Sequence, residues 1–173
     1  MRPVKLWVAQ GFGVGRIPWA PGTFGSVVGL LWLGILVATG KVWVLLSGVA
    51  LSLPLCVWLC GVAEQQLGRR DPASVVLDEI VALPFCFFSW IGIFALKNGC
   101  LPGLAQFCSG NKWAWTLGVF AAFRFFDILK PWPVRQSQSL SGGWGITIDD
   151  LLAAAYVNVL VVLAYVGNTM ILR

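Results

Sequence analysis

The chain has 173 residues, no histidine, and only seven acidic residues: Glu64, Asp71, Asp78, Glu79, Asp127, Asp149 and Asp150. The lack of histidine excludes the histidine-nucleophile class of lipid phosphatase, and it argues against zinc, whose protein ligands are chiefly His and Cys. The five cysteines, Cys56, Cys60, Cys86, Cys100 and Cys108, are odd in number and lie mostly in apolar runs, where Cys packs as a small hydrophobe. None is followed six positions later by Arg, so a Cys-x5-Arg phosphatase loop is excluded as well. Charge is scarce too, at 11% of residues against roughly 25% in a soluble domain.

What is present is apolar: 58% of residues are hydrophobic and the mean hydropathy is +0.83. The composition predicts an all-α, polytopic membrane bundle, and the length suits one domain over residues 1–173. The basic start at Arg2 and Lys5 leads into Gly11, Gly13, Gly15, Pro18 and Pro21, which is not the pattern of a cleaved secretory leader. Uncharged stretches predict spans at Ile17 to Gly40, Val42 to Ala63, Ile80 to Leu96 and Leu151 to Leu172, each near the ~20 residues that cross a bilayer. A fifth segment, Trp113 to Phe126, is apolar but reaches only about 21 Å as a helix, which leaves open whether it crosses. Asn98 to Asn111, with Gly99, Pro102, Gly103 and Gly110, reads as a loop.

Basic residues orient the bundle. With five spans, Arg2, Lys5, Arg16, Arg69, Arg70, Arg124, Lys130 and Arg135 gather at one end and Lys41, Lys97, Lys112 and Arg173 at the other, which places the first end in the cytoplasm. All seven acids then belong to the cytoplasmic end. The net charge of +5 follows this positive-inside pattern and calls for no nucleic-acid partner.

The acids fall into patches. In DPASVVLDE, Pro72 suits a helix start and Asp78-Glu79 enters the third span about two turns later; solvated first-turn acids are the competing reading. In FRFFDILKPWPVR, Arg124, Asp127 and Lys130 recur every three residues, which fits a metal-binding Asp127 flanked by two anion-gripping bases or, equally, a structural ion-pair ladder. In GGWGITIDDLLAAA, Gly142, Gly143 and Gly145 make a pliable loop, Asp149 is a candidate helix cap, and Asp150 exceeds what a cap requires. Acids from three helix ends form an oxygen-rich set that suits a hard cation such as Mg²⁺. The segment GFGVGRIPWAPGTFGS, ahead of the first span, offers backbone amides and the hydroxyls of Thr23 and Ser26 to a phosphate, although it is not a Walker A loop.

In these residues the chain resembles the bacterial phosphatidylglycerophosphatase A family. The match runs in order through Pro21-Gly22-Thr23-Phe24-Gly25-Ser26, Asp71-Pro72 with Asp78-Glu79, Phe123-Arg124-Phe125-Phe126-Asp127 with Lys130-Pro131-Trp132-Pro133, and Gly143 through Asp149-Asp150. The resemblance implies an inner-membrane, Mg²⁺-dependent hydrolase that converts phosphatidylglycerophosphate to phosphatidylglycerol. Joined to the residue reading, it makes Asp78, Glu79, Asp127, Asp149 and Asp150 the metal ligands, with Asp127, Asp150 and Glu79 catalytic, and it gives Thr23, Gly25, Ser26, Arg124 and Lys130 the phosphate. Water activated by the metal is favoured over Asp127 as nucleophile, because no Asp-x-Asp motif is present. A lipid substrate keeps its acyl chains in the bilayer, and Trp7, Trp19, Trp132 and Trp144 fit an interfacial belt at that end. Two other classes compete: a cation-coupled transporter, which calls for acids at mid-span, and a non-catalytic subunit of a lipid-synthesis complex. Glu64 reads as a surface residue and Asp71 as one that opens a helix.

Overall fold

Proline and glycine decide where the helices begin and end. The structure is a computed structural model describing residues 2–110 and 112–171, and no strand occurs among the described residues. Helix α1 covers Arg2–Ala9 and runs into a 3-10 turn at Gly11–Arg16. Helix α2, Pro21–Ala38, has Pro21 in its first turn, where a missing N–H costs nothing. Helix α3, Val42–Leu67, is closed by Gly68 at φ 60°, a left-handed cap that a side chain would strain. There follow α4 (Leu77–Cys86), α5 (Phe88–Asn98), α6 (Ala105–Cys108), α7 (Lys112–Leu129), α8 (Val134–Ser137) and α9 (Gly143–Ile171). The expected end of the last span at Leu172, like Asn111 and Arg173, lies outside the described residues.

Four stretches are long and apolar enough to cross a membrane: Pro21–Ala38, Val42–Leu67, Leu77–Asn98 and Gly143–Met170. The chain is a multi-pass membrane protein. Helix α7 carries Lys112, Arg124 and Asp127 and so falls outside that set, but its 18 residues reach about 27 Å. It leaves α6, where Thr116 Oγ1 donates to the Phe107 carbonyl, and returns to the end at which α2, α4 and α9 begin. The 14 apolar residues read from sequence were too few because the helix continues through charged residues at both ends. The expected loop at Asn98 to Asn111 contains the single turn of α6.

The third span is two helices. Pro84 has no N–H for Ile80, and the Phe87 N–H bonds the Pro84 carbonyl in a tighter turn, so α4 ends at Cys86 and α5 starts at Phe88, with Phe87 between them. Asn158 of α9 mends the break: its side chain accepts from the Ser89 N–H at 2.7 Å and donates to the Phe85 carbonyl at 2.7 Å. Those two backbone groups would have bonded each other in an unbroken helix, and an apolar surrounding leaves no water to replace them.

Two predicted starts move. No helix forms at Pro72; residues 72–76 make a turn, because the Val76 N–H is committed to the Ala9 carbonyl and Val75 to Pro72. Helix α9 begins at Gly143, so Asp149 stands in its second turn and is not its cap. Only Gly142 (φ 61°) serves the expected loop; Gly143 is helical because it lies against α3, where an added Cβ would collide with the Val57 carbonyl. Helix α2 is likewise pressed on α4 and the residue before it: a Cβ at Gly25 would sit 2.8 Å from that of Val76, and one at Gly29 2.8 Å from that of Leu83. Small residues permit such approach between membrane helices. The larger apolar cluster, with Leu33, Leu83, Phe87, Phe123 and Val157, joins α2, α4, α5, α7 and α9. Cys56, Cys60 and Cys86 are buried and free, in keeping with packing.

Candidate active site

Five chain segments end together around one polar cavity of about 340 Å³: the start of α2, the turn at residues 71–76, the start of α4, the end of α7 and the second turn of α9. Its walls carry Asp71, Asp78, Glu79, Asp127, Asp149 and Asp150 beside the two bases Arg124 and Lys130. Six of the seven acids of the chain therefore share one space. Glu64 does not; it is half-buried against a separate small cavity near Arg70 and Gln138.

The inner part of the cavity is formed by α4 and α9. One carboxylate oxygen each from Asp78, Glu79 and Asp150 lies within 4.8 Å of the others. Asp78 and Asp150 are almost fully buried, and Asp78 Oδ1, Glu79 Oε2 and Asp150 Oδ2 have no hydrogen-bond partner. Buried carboxylate oxygens left bare cost several kcal/mol each unless a cation or a proton meets them. The donor set is oxygen alone, and its oxygens converge, so it fits a hard divalent cation. Arg124 reaches in from α7 with Nη1 2.8 Å from Asp127 Oδ2, as expected for an i,i+3 pair, and 3.8 Å from Glu79 Oε1. Its Nε is buried without an acceptor.

The outer part is paired throughout. Lys130 Nζ donates to Asp149 Oδ2 and stands 3.9 Å from Asp71 Oδ2. Gln138 Nε2 bridges the same two acids, 3.0 Å from Asp71 and 3.2 Å from Asp149. Burial would lower the Lys130 pKa, but the hydrogen bond and charge of Asp149, helped by Asp127 and Asp71, outweigh it and raise the value above its usual 10.5. Lys130 is thus held in its charged form at neutral pH. Its place differs from the three-residue stripe: α7 stops at Leu129, Lys130 turns left-handed (φ 46°) ahead of Pro131, and its amine meets α9 in place of Asp127.

Backbone strain collects here. Four non-glycine residues have positive φ among the described residues, and three of them, Ala20, Asp71 and Lys130, line the cavity. Such conformations persist only where the surroundings enforce them.

The end of the glycine segment, from Pro21 to Ser26, forms the first turns of α2 and not a loop. Gly25 packs on Val76, and the fully buried Ser26 donates to the Gly22 carbonyl at 2.8 Å with Arg124 Nη1 3.4 Å from its Oγ. Thr23 and Gly25 do not line the cavity, whereas Ala20, Pro21 and Gly22 do. A Cβ at Gly22 would strike Glu79 Oε1 and come within 2.8 Å of Arg124 Nη2, so glycine there makes room for that pair. Thr23 and Phe24 N–H groups already donate to the Ala20 carbonyl, leaving the Gly22 amide as the first-turn donor without a helical partner. Two site residues escaped the sequence reading: Asp71, taken as a helix-opening residue, and Gln138, a neutral residue with no motif to mark it. Trp7, Trp19, Trp132 and Trp144 are all exposed, as an interfacial belt requires.

No solved structure matches this chain. Among curated proteins, the phosphatidylglycerophosphatase A of Haemophilus influenzae is 40% identical over 93% of this chain and 88% of its own length. The protein of that name from Escherichia coli is 34% identical over 84% of this chain and 74% of its own. A Bacteroides thetaiotaomicron protein provisionally named phosphatidylinositol-3-phosphatase is 32% identical over 93% of each chain. The family model for phosphatidylglycerophosphatase A matches residues 7–165, which contain every wall of the cavity. This chain belongs to the phosphatidylglycerophosphatase A family, a family of phosphoric monoester hydrolases.

Proposed function

We propose that the chain is a single membrane-embedded domain, residues 1–173, that hydrolyses the terminal phosphate of phosphatidylglycerophosphate to give phosphatidylglycerol and phosphate, with Mg²⁺ as its cation. The observation that carries this reading is the trio of bare buried oxygens on Asp78, Glu79 and Asp150, beside the bare Arg124 Nε, in one cavity. A cavity with six carboxylates and two bases repels a phosphate unless cations are added. Asp78, Glu79 and Asp150 would hold Mg²⁺, with Asp127 and Asp149 the next carboxylates within the same walls. Bound there, the ion supplies charge to offset the phosphoryl oxygens and to acidify a coordinated water.

The remaining work falls to side chains. Arg124 offers its free Nε and Lys130 its fixed charge to the phosphate oxygens. The Gly22 amide adds a donor at the α2 N-terminus, while Gly25 and Ser26 hold α2 and the guanidinium in place. Asp127, one oxygen pinned by Arg124, takes a proton from the attacking water with the other. As the new P–O bond forms, the bond to the lipid oxygen breaks with its electron pair, and that oxygen takes the proton. Glu79 and Asp150 act by fixing the cation.

The cavity end also carries eight of the twelve basic residues, which supports a site facing the cytoplasm from a bacterial inner membrane. Acids at one end, none at mid-span, speak against a cation pathway. The test is phosphate release by purified protein in detergent, with and without Mg²⁺, for wild type, Asp127→Asn, Asp150→Asn and Glu79→Gln. Phosphatidylinositol 3-phosphate serves as the competing substrate, given the name of the Bacteroides relative. Wild-type activity in all three variants overturns the site. Faster release from the inositol lipid overturns the substrate. A Mg²⁺-dependent rise in melting temperature that Asp150→Asn abolishes reports the metal independently of turnover.

A further inference from the structure

We infer that the cleft between α2 and α7 is the side door of this site, through which the diacylglycerol part of the substrate lies in the bilayer while its phosphate is inside the cavity. This rests on the phosphatase reading above. Helix α2 with the residue before it lines the cavity through Ala20 to Gly22, and α7 through Arg124 and Ile128, yet contact between the two helices is slight beside that of α2 with α4 or of α7 with α9. The Arg124–Ser26 contact is the only hydrogen bond between them among the described residues. Each packs instead on the α4 and α9 side, α2 on α4 and α7 on α9, so the cleft has a floor and two walls.

The lip is apolar although the cavity holds six of the seven acids. Ile128 lines the cavity and is 73% exposed. On α7, Leu117, Ala121, Arg124 and Ile128 recur at intervals of four, three and four and so share one face, which is small and apolar beyond Arg124. On α2 the matching face runs from Thr23 through Val27 and Leu30 to Gly34. At Gly34 the cleft is closed: the Cβ position there is 3.3 Å from Leu104, in the segment whose helix α6 packs on α7. From Gly22 to Gly34 the helix rises about 18 Å, close to the ~15 Å hydrocarbon depth of one leaflet. A cleft that begins at a phosphate-sized polar cavity and ends after one leaflet matches a phospholipid of that leaflet. Water-soluble phosphomonoesters have no use for it.

The experiment compares long-chain phosphatidylglycerophosphate with its dibutyryl analogue, both in detergent. Ala121→Trp, and separately Leu117→Trp, should cut kcat/KM for the long-chain lipid about tenfold and change that for the dibutyryl analogue less than about twofold. Val159→Trp on α9, exposed to lipid elsewhere, should change neither. Equal losses on both substrates, or no loss on either, overturn the door. Phosphatidylglycerophosphate bearing a photoactivatable group at mid-chain should label α2 and α7 within residues 23–34 and 117–128; label spread evenly over the lipid-facing surface overturns it without any turnover. Failure of wild type to hydrolyse either substrate instead sinks the phosphatase reading, and is distinct from a lost difference between the two.

Discussion

The two halves of the cavity are built from the same residue types, but one has its charges paired and the other does not. Around Asp71 and Asp149, every acid has a partner: Lys130 and Gln138 tie α7, α8 and α9 to the turn ahead of α4. Asp78, Glu79 and Asp150 converge, and each has one buried oxygen without a hydrogen-bond partner. A self-satisfied network holds shape, whereas an unsatisfied buried one holds a place for something else. The contrast explains why so acid-poor a chain retains adjacent acids at 78–79 and 149–150. One member of the second pair serves each half.

The comparison breaks most sharply at the bare half. Asp150→Asn should lower phosphate release about 10³-fold, in the range seen when one electrostatic contact to a transition state is lost. The same change should leave the metal-free protein as stable as before or more so, because it relieves carboxylate repulsion; a melting curve in chelator checks this. Parallel loss of stability and activity would make the bare half structural. Arg124→Gln strikes next, since it strands Asp127 and removes the phosphate donor: activity should fall about 10²-fold, with a stability loss of about 3 kcal/mol by chemical denaturation. Mg²⁺ at a hundredfold excess over its Kd should stabilise wild type by about 2.7 kcal/mol, and Asp150→Asn by none.

At the paired half the effects are smaller. Gln138→Ala should reduce kcat a few-fold, by loosening Lys130 and Asp149 without emptying the site of charge. The raised Lys130 pKa means that its contribution to stability is complete below its ordinary value of 10.5 and is lost only as pH climbs through the folded-state value. The stability difference between wild type and Lys130→Gln should therefore be flat between about pH 7 and 9; a difference that fades in that range would place the Lys130 titration lower. Glu64→Gln, outside both halves, should stay within about twofold of wild type in phosphate release.

Much of the framework was legible because crossing a bilayer demands about twenty apolar residues in a row, and such runs are plain in the chain. The spans at α2, α3 and α9 needed only their ends adjusted. The break at Phe87 was less visible, since proline is tolerated in membrane helices and the Asn158 side chain that repairs this one lies some seventy residues away. Acids were recognisable as site residues by rarity, a signal that Gln138 could not give. Asp71 was discounted because Pro72 suggested a helix, while the Val76 bond to Ala9 draws that stretch into a turn and brings Asp71 to the cavity wall. The glycines of α2 looked like a phosphate loop because glycine serves both tasks, and only the distance to Val76 and Leu83 identifies them as packing.

Membrane residence, helical architecture and the gathering of the acids at one end all follow from sums of transfer free energies along single segments, together with the count of bases between them. Such terms are additive and local, so the order of residues contains them. Which carboxylates become neighbours is another matter. That Asp78, Glu79 and Asp150 converge, that Lys130 turns to Asp149, and that Arg124 reaches Ser26 depend on how each helix is rotated and how closely it crosses the next. Those are set by contacts such as Gly29 on Leu83 and Gly143 on Val57, between residues tens of positions apart, and they exist only in the folded bundle.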